Sequence, residues 1–198
     1  MVIALIIVIA YLLGSIPFAY IVSRFKGIDI RKIGDGNIGS FNVFRHAGFT
    51  AGIITLFADI GKGALAIVIA RLFSTPEWLI LLAGGAVVIG HILTIFLNFK
   101  GGRGVAAIIG VFFVLFPREM PIDFFLAVIV VLMTHNSIWT GVVLFVPLPL
   151  LCYIFGEPLY LILYSIALPC ISGLVHWITT RNLSQEAKKE ARTFRIAR

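Results

Sequence analysis

A chain of 198 residues in which 60% are hydrophobic and 13% charged, with a net charge of +7, has far more apolar side chains than the core of one soluble domain can absorb. That balance, with a mean hydropathy of +1.07, excludes a soluble domain that presents its basic residues to nucleic acid, and predicts an all-α, polytopic membrane protein. A β-barrel is excluded too, because no segment sustains the alternation of apolar and polar residues that a barrel strand needs.

In chain order, seven apolar runs are read as helical spans, at residues 2–23, 49–72, 79–99, 104–116, 122–138, 139–155 and 159–178. Each is measured against the roughly 20 residues that cross about 30 Å of hydrocarbon. Six is the alternative count, since only Thr134, His135, Asn136 and Ser137 divide residues 122–155. The first run has no Lys or Arg before it and no evident small-residue cleavage site, so it is expected to stay as a helix. Cys152 and Cys170 fall in late apolar runs and read as small buried hydrophobes. His46, His91, His135 and His176 lack metal-ligand spacing and are assigned to helix-packing hydrogen bonds; no metal and no cofactor is expected.

Of the 16 Lys and Arg residues, 13 fall on one face if residues 24–48 are cytoplasmic, and Arg71 and Arg118 fall on the other, with Lys62 inside a span. The positive-inside rule then puts the N-terminus outside and the C-terminus in the cytoplasm. The expected organisation is a single integral membrane domain, 1–198, with cytoplasmic loops near 24–48, 98–104 and 134–138 and a cytoplasmic tail at 179–198. Anionic headgroups account for most basic residues, and no nucleic acid is implicated. A monomer is expected.

Two insertions interleave glycines with cations in a way that topology alone does not require: GDGNIGSFNVFR, from Gly34 to Arg45, and NFKGGRGVA, from Asn98 to Ala106. In the second, Lys100 and Arg103 neutralise an anion while Gly101, Gly102 and Gly104 let it approach the backbone at the start of the next helix. That helix, 104–116, covers only roughly 20 Å at about 1.5 Å per residue, which places the loop recessed in a polar cavity. In the first insertion, Gly36 and Gly39 allow a turn, Asn37, Ser40 and Asn42 carry short hydrogen-bonding groups, and Arg45 is a planar donor for phosphate. Two such loops on one face predict a phosphate pocket.

The segments GSIPFAYIVSR, GIDIRKIGDGNIGSFNVFRHAG and GHILTIFLNFKGGRGVA resemble the bacterial membrane acyl-phosphate:glycerol-3-phosphate acyltransferases, the PlsY family, whose patterns run GSIPFGY, DIR..GSGN.GATN..R..G and GH.FPVFL.FKGGKGVAT. ADIGKG, from Ala58 to Gly63, matches the family's D..KG. The resemblance implies transfer of an acyl chain from acyl phosphate to glycerol 3-phosphate, giving lysophosphatidate and phosphate, in a bacterial cytoplasmic membrane. An activated acyl phosphate needs no protein nucleophile, only alignment of the acceptor hydroxyl and stabilisation of the leaving charge. On that basis Lys100, Gly101, Gly102, Arg103 and Gly104, with Gly36, Gly39 and Ser40, are assigned to substrate binding. Asn37, Asn42, Arg45, Ser137 and Asn182 are assigned to the acyl phosphate and its leaving group.

The chain departs from the family at several positions. Asp35 stands for serine, Ser40 for alanine, Phe41 for threonine, Arg103 for lysine and Thr179 for histidine, with His176 about one helical turn before it. Lys189 stands for the tail glycine, and Glu190 lies near the family's glutamate. An aspartate at 35 repels a phosphate unless Arg45, Lys100 or Arg103 pairs with it. The alternatives are a catalytically inactive paralogue that binds lipid precursors or regulates at the membrane, and a small transporter of phosphorylated solutes.

Overall fold

A computed structural model describes residues 2–73 and 75–193; the end of the expected tail, with Arg195 and Arg198, lies outside the described residues. Helix α1 (Val2–Ser15) stops where Pro17 offers no N–H to the helical ladder, and α2 (Phe18–Phe25) resumes immediately. After a 3₁₀ turn at Ile30–Lys32 come α3 (Ser40–Ala47), α4 (Phe49–Leu72) and α5 (Glu77–Ile92). A second 3₁₀ turn at Ile95–Leu97 precedes α6 (Val105–Leu115) and α7 (Glu119–Thr134). The described residues end with α8 (Ser137–Phe145), α9 (Leu148–Ile154), α10 (Leu159–Thr180) and α11 (Gln185–Arg192).

The all-helical membrane architecture agrees with the sequence, and the finer divisions differ. Among the described residues, five stretches have the length and hydropathy of a crossing: Val2–Phe25, Phe49–Leu72, Glu77–Leu97, Ser137–Ile154 and Leu159–Thr180. Helix α6 is apolar but 11 residues long, and α7, at 16 residues, carries the buried Glu119 and Asp123. The run expected at 122–138 ends at Thr134, because His135 turns left-handed at φ 50° and Asn136 caps α8, its side chain accepting the Ile138 N–H at 2.9 Å. Pro147 then separates α8 from α9. The α-helix in the 79–99 run stops at Ile92, and the chain turns through left-handed Asn98 and Phe99 into the second glycine-rich loop.

Lipid tails are as apolar as leucine, so helices in a membrane associate by close packing more than by burying grease. Helix α1 lies along α5 and α4 along α6. A Cβ on Gly63 would strike the Ala107 carbonyl and one on Gly110 the Ile60 carbonyl, while Gly14 meets Val87 and Gly90 meets Tyr11 in the same way. Phe112 of α6 centres the core, edge-on to Phe116 at 5.2 Å and to Phe145 and Tyr164 at 6.3 Å each, which ties α6 to α8 and α10. Val2, Leu5, Val8 and Leu12 of α1 stay exposed, as a lipid-facing stripe should. Of the two free cysteines Cys152 is buried, whereas Cys170 is exposed, against the expectation for both.

Candidate functional site

The first glycine-rich loop is folded around Asn42. Its carboxamide Nδ2 lies 3.0 Å from the Asn37 carbonyl, 3.1 Å from Ile33 and 3.2 Å from Ile30, so a fully buried side chain gathers three turns of otherwise irregular backbone. That gathering turns the Asp35 carboxylate inward, where its side chain is 0% exposed. Two guanidiniums meet it: Arg103 Nη2 at 2.9 Å and Arg45 Nη2 at 3.6 Å. The pairing that an aspartate here requires is therefore present, from Arg45 and Arg103.

Each nitrogen of Arg45 has a protein partner, which uses at most three of the guanidinium's five N–H donors. Its Nε donates to the Phe41 carbonyl at 3.1 Å, Nη1 donates to the Glu190 carbonyl of α11, and Nη2 faces Asp35. Burial lowers the guanidinium from its ordinary value and the Asp35 and Glu190 charges oppose that; an arginine in a protein keeps its proton. On the next residue, His46 Nε2 reaches Glu190 Oε1 at 2.9 Å, so the tail is anchored on α3 from two side chains. Ser137 Oγ adds a third anchor, donating to the Ala191 carbonyl at 2.9 Å and lying 3.2 Å from that of Arg192.

The second loop packs back on α5. Gly101 N–H donates to the Ile92 carbonyl at 2.9 Å and Gly102 N–H to the His91 carbonyl at 3.1 Å, which spends these two donors on the last turn of α5 rather than on an anion. Two helix N-termini lie nearby without side-chain caps. Helix α6 begins after Gly104 at φ 90° with no side-chain cap, its first ladder bond running from Ile108 N–H to the Gly104 carbonyl at 2.9 Å. Helix α3 also begins uncapped, after an extended Gly39. Both N-termini carry the positive end of a helix dipole to the wall of one cavity.

That cavity holds about 630 Å³. Its polar end is formed by Asn37, Ser40, Arg45, Arg103, Ser137 and His176, and it continues between α7, α8 and α10 past Phe124, Val131, Val142, Phe145 and Ile166. Of the residues singled out from sequence, Asn37, Gly39, Ser40, Arg45, Arg103, Gly104 and Ser137 line it. Gly36, Gly101 and Gly102 in the loops and Asn42 in α3 lie outside the lining, while Lys100 and Asn182 are exposed. Thr179 lies outside the lining, with its hydroxyl 3.4 Å from Arg103 Nε; His176, one turn earlier, faces in.

Sequence reasoning matched Asp59 and Lys62 to the family's D..KG and assigned His91 to helix packing, but gave none of them a place in the site; Asp59 and His91 also line the chamber, with Lys62 beside them. Lys62 Nζ stands 2.8 Å from Asp59 Oδ1, and His91 Nδ1 stands 3.5 Å from the same oxygen. The signal was available: two opposite charges three residues apart within an apolar run sit at a membrane depth where charge is costly unless it is paired or functional.

Fold and site together define a helical integral membrane protein whose chamber is cationic at one end and apolar along its length. The chain matches the glycerol-3-phosphate acyltransferase family over residues 4–188, and it belongs to that family. It is 35% identical over 190 residues to a glycerol-3-phosphate acyltransferase of Endomicrobium trichonymphae, covering 96% of each chain. To that of Thermus thermophilus it is 35% identical over 185 residues, covering 90% of this chain and 88% of the relative. Among solved structures it superposes on PlsY (YgiH), an integral membrane glycerol 3-phosphate acyltransferase, in its glycerol 3-phosphate form. The TM-score is 0.85 and the identity 28%, over 100% of this chain and 96% of that one. The lysophosphatidic acid form gives a TM-score of 0.80 at 27% identity, over 96% of this chain and 100% of that one.

Proposed function

We infer that this chain transfers an acyl group from acyl phosphate to glycerol 3-phosphate in the bacterial cytoplasmic membrane. The observation that carries the reading is the chamber itself. One continuous cavity joins two guanidiniums and two uncapped helix N-termini to an apolar passage between α7, α8 and α10. An acyl phosphate has the same two halves, and glycerol 3-phosphate needs only the cationic one.

In this reading the two phosphates share the polar end. Arg103, Gly104 and the start of α6 hold glycerol 3-phosphate, while Asn37, Arg45 and the start of α3 hold the acyl phosphate, with Ser40 and Ser137 at the rim. Asn42, Gly36, Gly101 and Gly102 act by shaping the two loops. Exposed Lys100 draws anions toward the mouth. Asn182 acts from the turn after α10, beyond the lining. The glycerol hydroxyl oxygen attacks the acyl carbonyl carbon, an ester C–O bond forms, and the bond from that carbon to the phosphate oxygen breaks. The leaving phosphate keeps the electron pair and takes the hydroxyl proton, so the products are 1-acylglycerol 3-phosphate and inorganic phosphate. Charge build-up on that phosphate is where the guanidiniums act.

Residues 1–198 form one membrane domain in this reading, with α6 and α7 completing seven crossings. The strongly basic end, bearing both glycine-rich loops, residues 134–138 and the tail, faces the cytoplasm, and the N-terminus lies outside. One chain supplies the whole chamber, consistent with a monomer. The test is to supply palmitoyl phosphate and glycerol 3-phosphate to the protein in detergent and follow lysophosphatidate and phosphate together. Stoichiometric release of both, lost in Arg45→Ala, is expected; phosphate without lysophosphatidate would mean hydrolysis and sink the reading.

A further inference from the structure

A buried chain of contacts runs from the break in the first span to the second glycine-rich loop. The Lys62 ammonium donates to the Ile16 carbonyl at 2.8 Å, just before Pro17, and pairs with Asp59 Oδ1 at 2.8 Å. On the other side of that oxygen stands His91 Nδ1 at 3.5 Å. All three side chains are at most 5% exposed. The opposite edge of the imidazole, Nε2 and Cδ2, lies where a Cβ on Gly102 would be, and the Ile38 carbonyl closes the same spot from the first loop. Gly102 is thus wedged between His91 and the first glycine-rich loop, with its N–H on the His91 carbonyl.

A charged pair inside a membrane bundle is expensive to maintain, and here it abuts the one histidine on which the loop rests. We propose that Asp59, balanced by Lys62, is a positioning residue that fixes the His91 ring and thereby sets the KGGRG loop, Lys100 to Gly104, at the depth needed to bind the phosphate of glycerol 3-phosphate. Asp59 orients the ring through its Nδ1 edge, the ring's far edge supports Gly102, and Gly102 leads directly to Arg103 and the start of α6. The proposal rests on the acyltransferase reading for the identity of the phosphate. The role it assigns is specific: the triad governs the acceptor and not the acyl donor.

The test separates a positioning role from a merely structural ion pair by keeping the charge balanced. Asp59→Asn alone orphans the Lys62 ammonium and is expected to lower the Tm, whereas Asp59→Asn combined with Lys62→Met removes both charges and returns the Tm toward that of the parent. The double variant should still show a KM for glycerol 3-phosphate raised on the order of tenfold. Its calorimetric affinity for glycerol 3-phosphate should weaken to match, with the KM for palmitoyl phosphate unchanged. A double variant with the parent KM for glycerol 3-phosphate, or one with both KM values raised equally, overturns the proposal. Should the double variant not fold, His91→Asn leaves the Asp59 and Lys62 pair intact and must give the same acceptor-specific rise; a parent-like KM overturns the proposal there as well. A parent protein that binds glycerol 3-phosphate without turnover, paired with a double variant that binds it weakly, would retire the acyltransferase reading and leave this inference standing.

Discussion

Arg103 and Asp35 form an ion pair, Nη2 to Oδ2 at 2.9 Å, between the two glycine-rich loops, with side chains 11% and 0% exposed. Both lie where the sequence departs from the pattern it resembles, and the ion pair joins the two departures. Removing Asp35 leaves Arg103 and Arg45 without their shared carboxylate, at a cost of about 3 kcal/mol, whereas removing Arg103 leaves Asp35 with Arg45 alone at 3.6 Å. Asp35→Ala is therefore expected to lower the Tm by several degrees and reduce kcat/KM. Asp35→Ser with Arg103→Lys should recover most of both. A double variant no better than the worse single one, in thermal unfolding and in lysophosphatidate formation, would show that the residues do not act as a pair.

Gly102 and Gly61 offer a contrast in what a methyl group does. A Cβ on Gly102 would strike His91 Nε2 and stand 2.6 Å from the Ile38 carbonyl oxygen, whereas one on Gly61, within α4, meets nothing inside 4 Å. Gly102→Ala is expected to displace the loop and lower kcat/KM by at least about tenfold. Gly61→Ala should leave activity intact and stabilise by up to about 1 kcal/mol through helix propensity. Parallel rates and melting curves on the two variants check both statements.

If the apolar part of the chamber holds the acyl chain, as proposed, its shape selects among donors. Gly141 of α8 lines it, and a Cβ there meets nothing within 4 Å. Gly141→Leu is expected to add bulk to the chamber wall and to shift preference from hexadecanoyl toward octanoyl phosphate. The KM for glycerol 3-phosphate should not move. Competition between the two donors measures the shift directly.

Outside the membrane stretches, Arg31 grips Asp29 through Nε at 2.9 Å and Nη2 at 2.8 Å. The side-chain hydrogen bonds from Arg31, against a smaller desolvation effect, pull the Asp29 carboxyl down to about 2 from 3.8. A depressed carboxyl contributes stability that is complete above the unfolded value and is lost as pH falls through the folded one. The contact should hold throughout the neutral range and loosen only between about pH 4 and pH 2. Carbon-detected titration of Asp29 should show the low midpoint, and Arg31→Ala should return it to about 4.

How much of this was legible in the chain depends on the range of the interaction. The membrane class, both glycine-rich loops and Arg45 could be read because they are local contrasts: glycine and cation against apolar background. The helix break at Pro17 and the start of α8 at Ser137 were blurred, since in a chain apolar on every side a run of hydrophobes does not reveal where a ladder is interrupted. The Asp59, Lys62 and His91 grouping was hidden for a different reason: its third member comes from another span, and no spacing rule reports which helices touch. The same holds for the tail, whose Glu190 meets Arg45 from 145 residues away in sequence, and His46 beside it. The N–H groups of Gly101 and Gly102 were credited to an anion because a glycine loop before a helix usually offers them outward, whereas here they close the last turn of α5.

The placement of Asp59 and Lys62 on a single helix also bears on how the protein enters its membrane. A lone charged residue at the centre of a nascent span is disfavoured on insertion by about 2.5–3.5 kcal/mol. The two are three residues apart on α4, so they neutralise one another as soon as that helix forms, before α5 delivers His91. Biogenesis and chamber assembly are thereby uncoupled: α4 can be handed to the bilayer as a self-compensated segment and recruited to its neighbours afterwards.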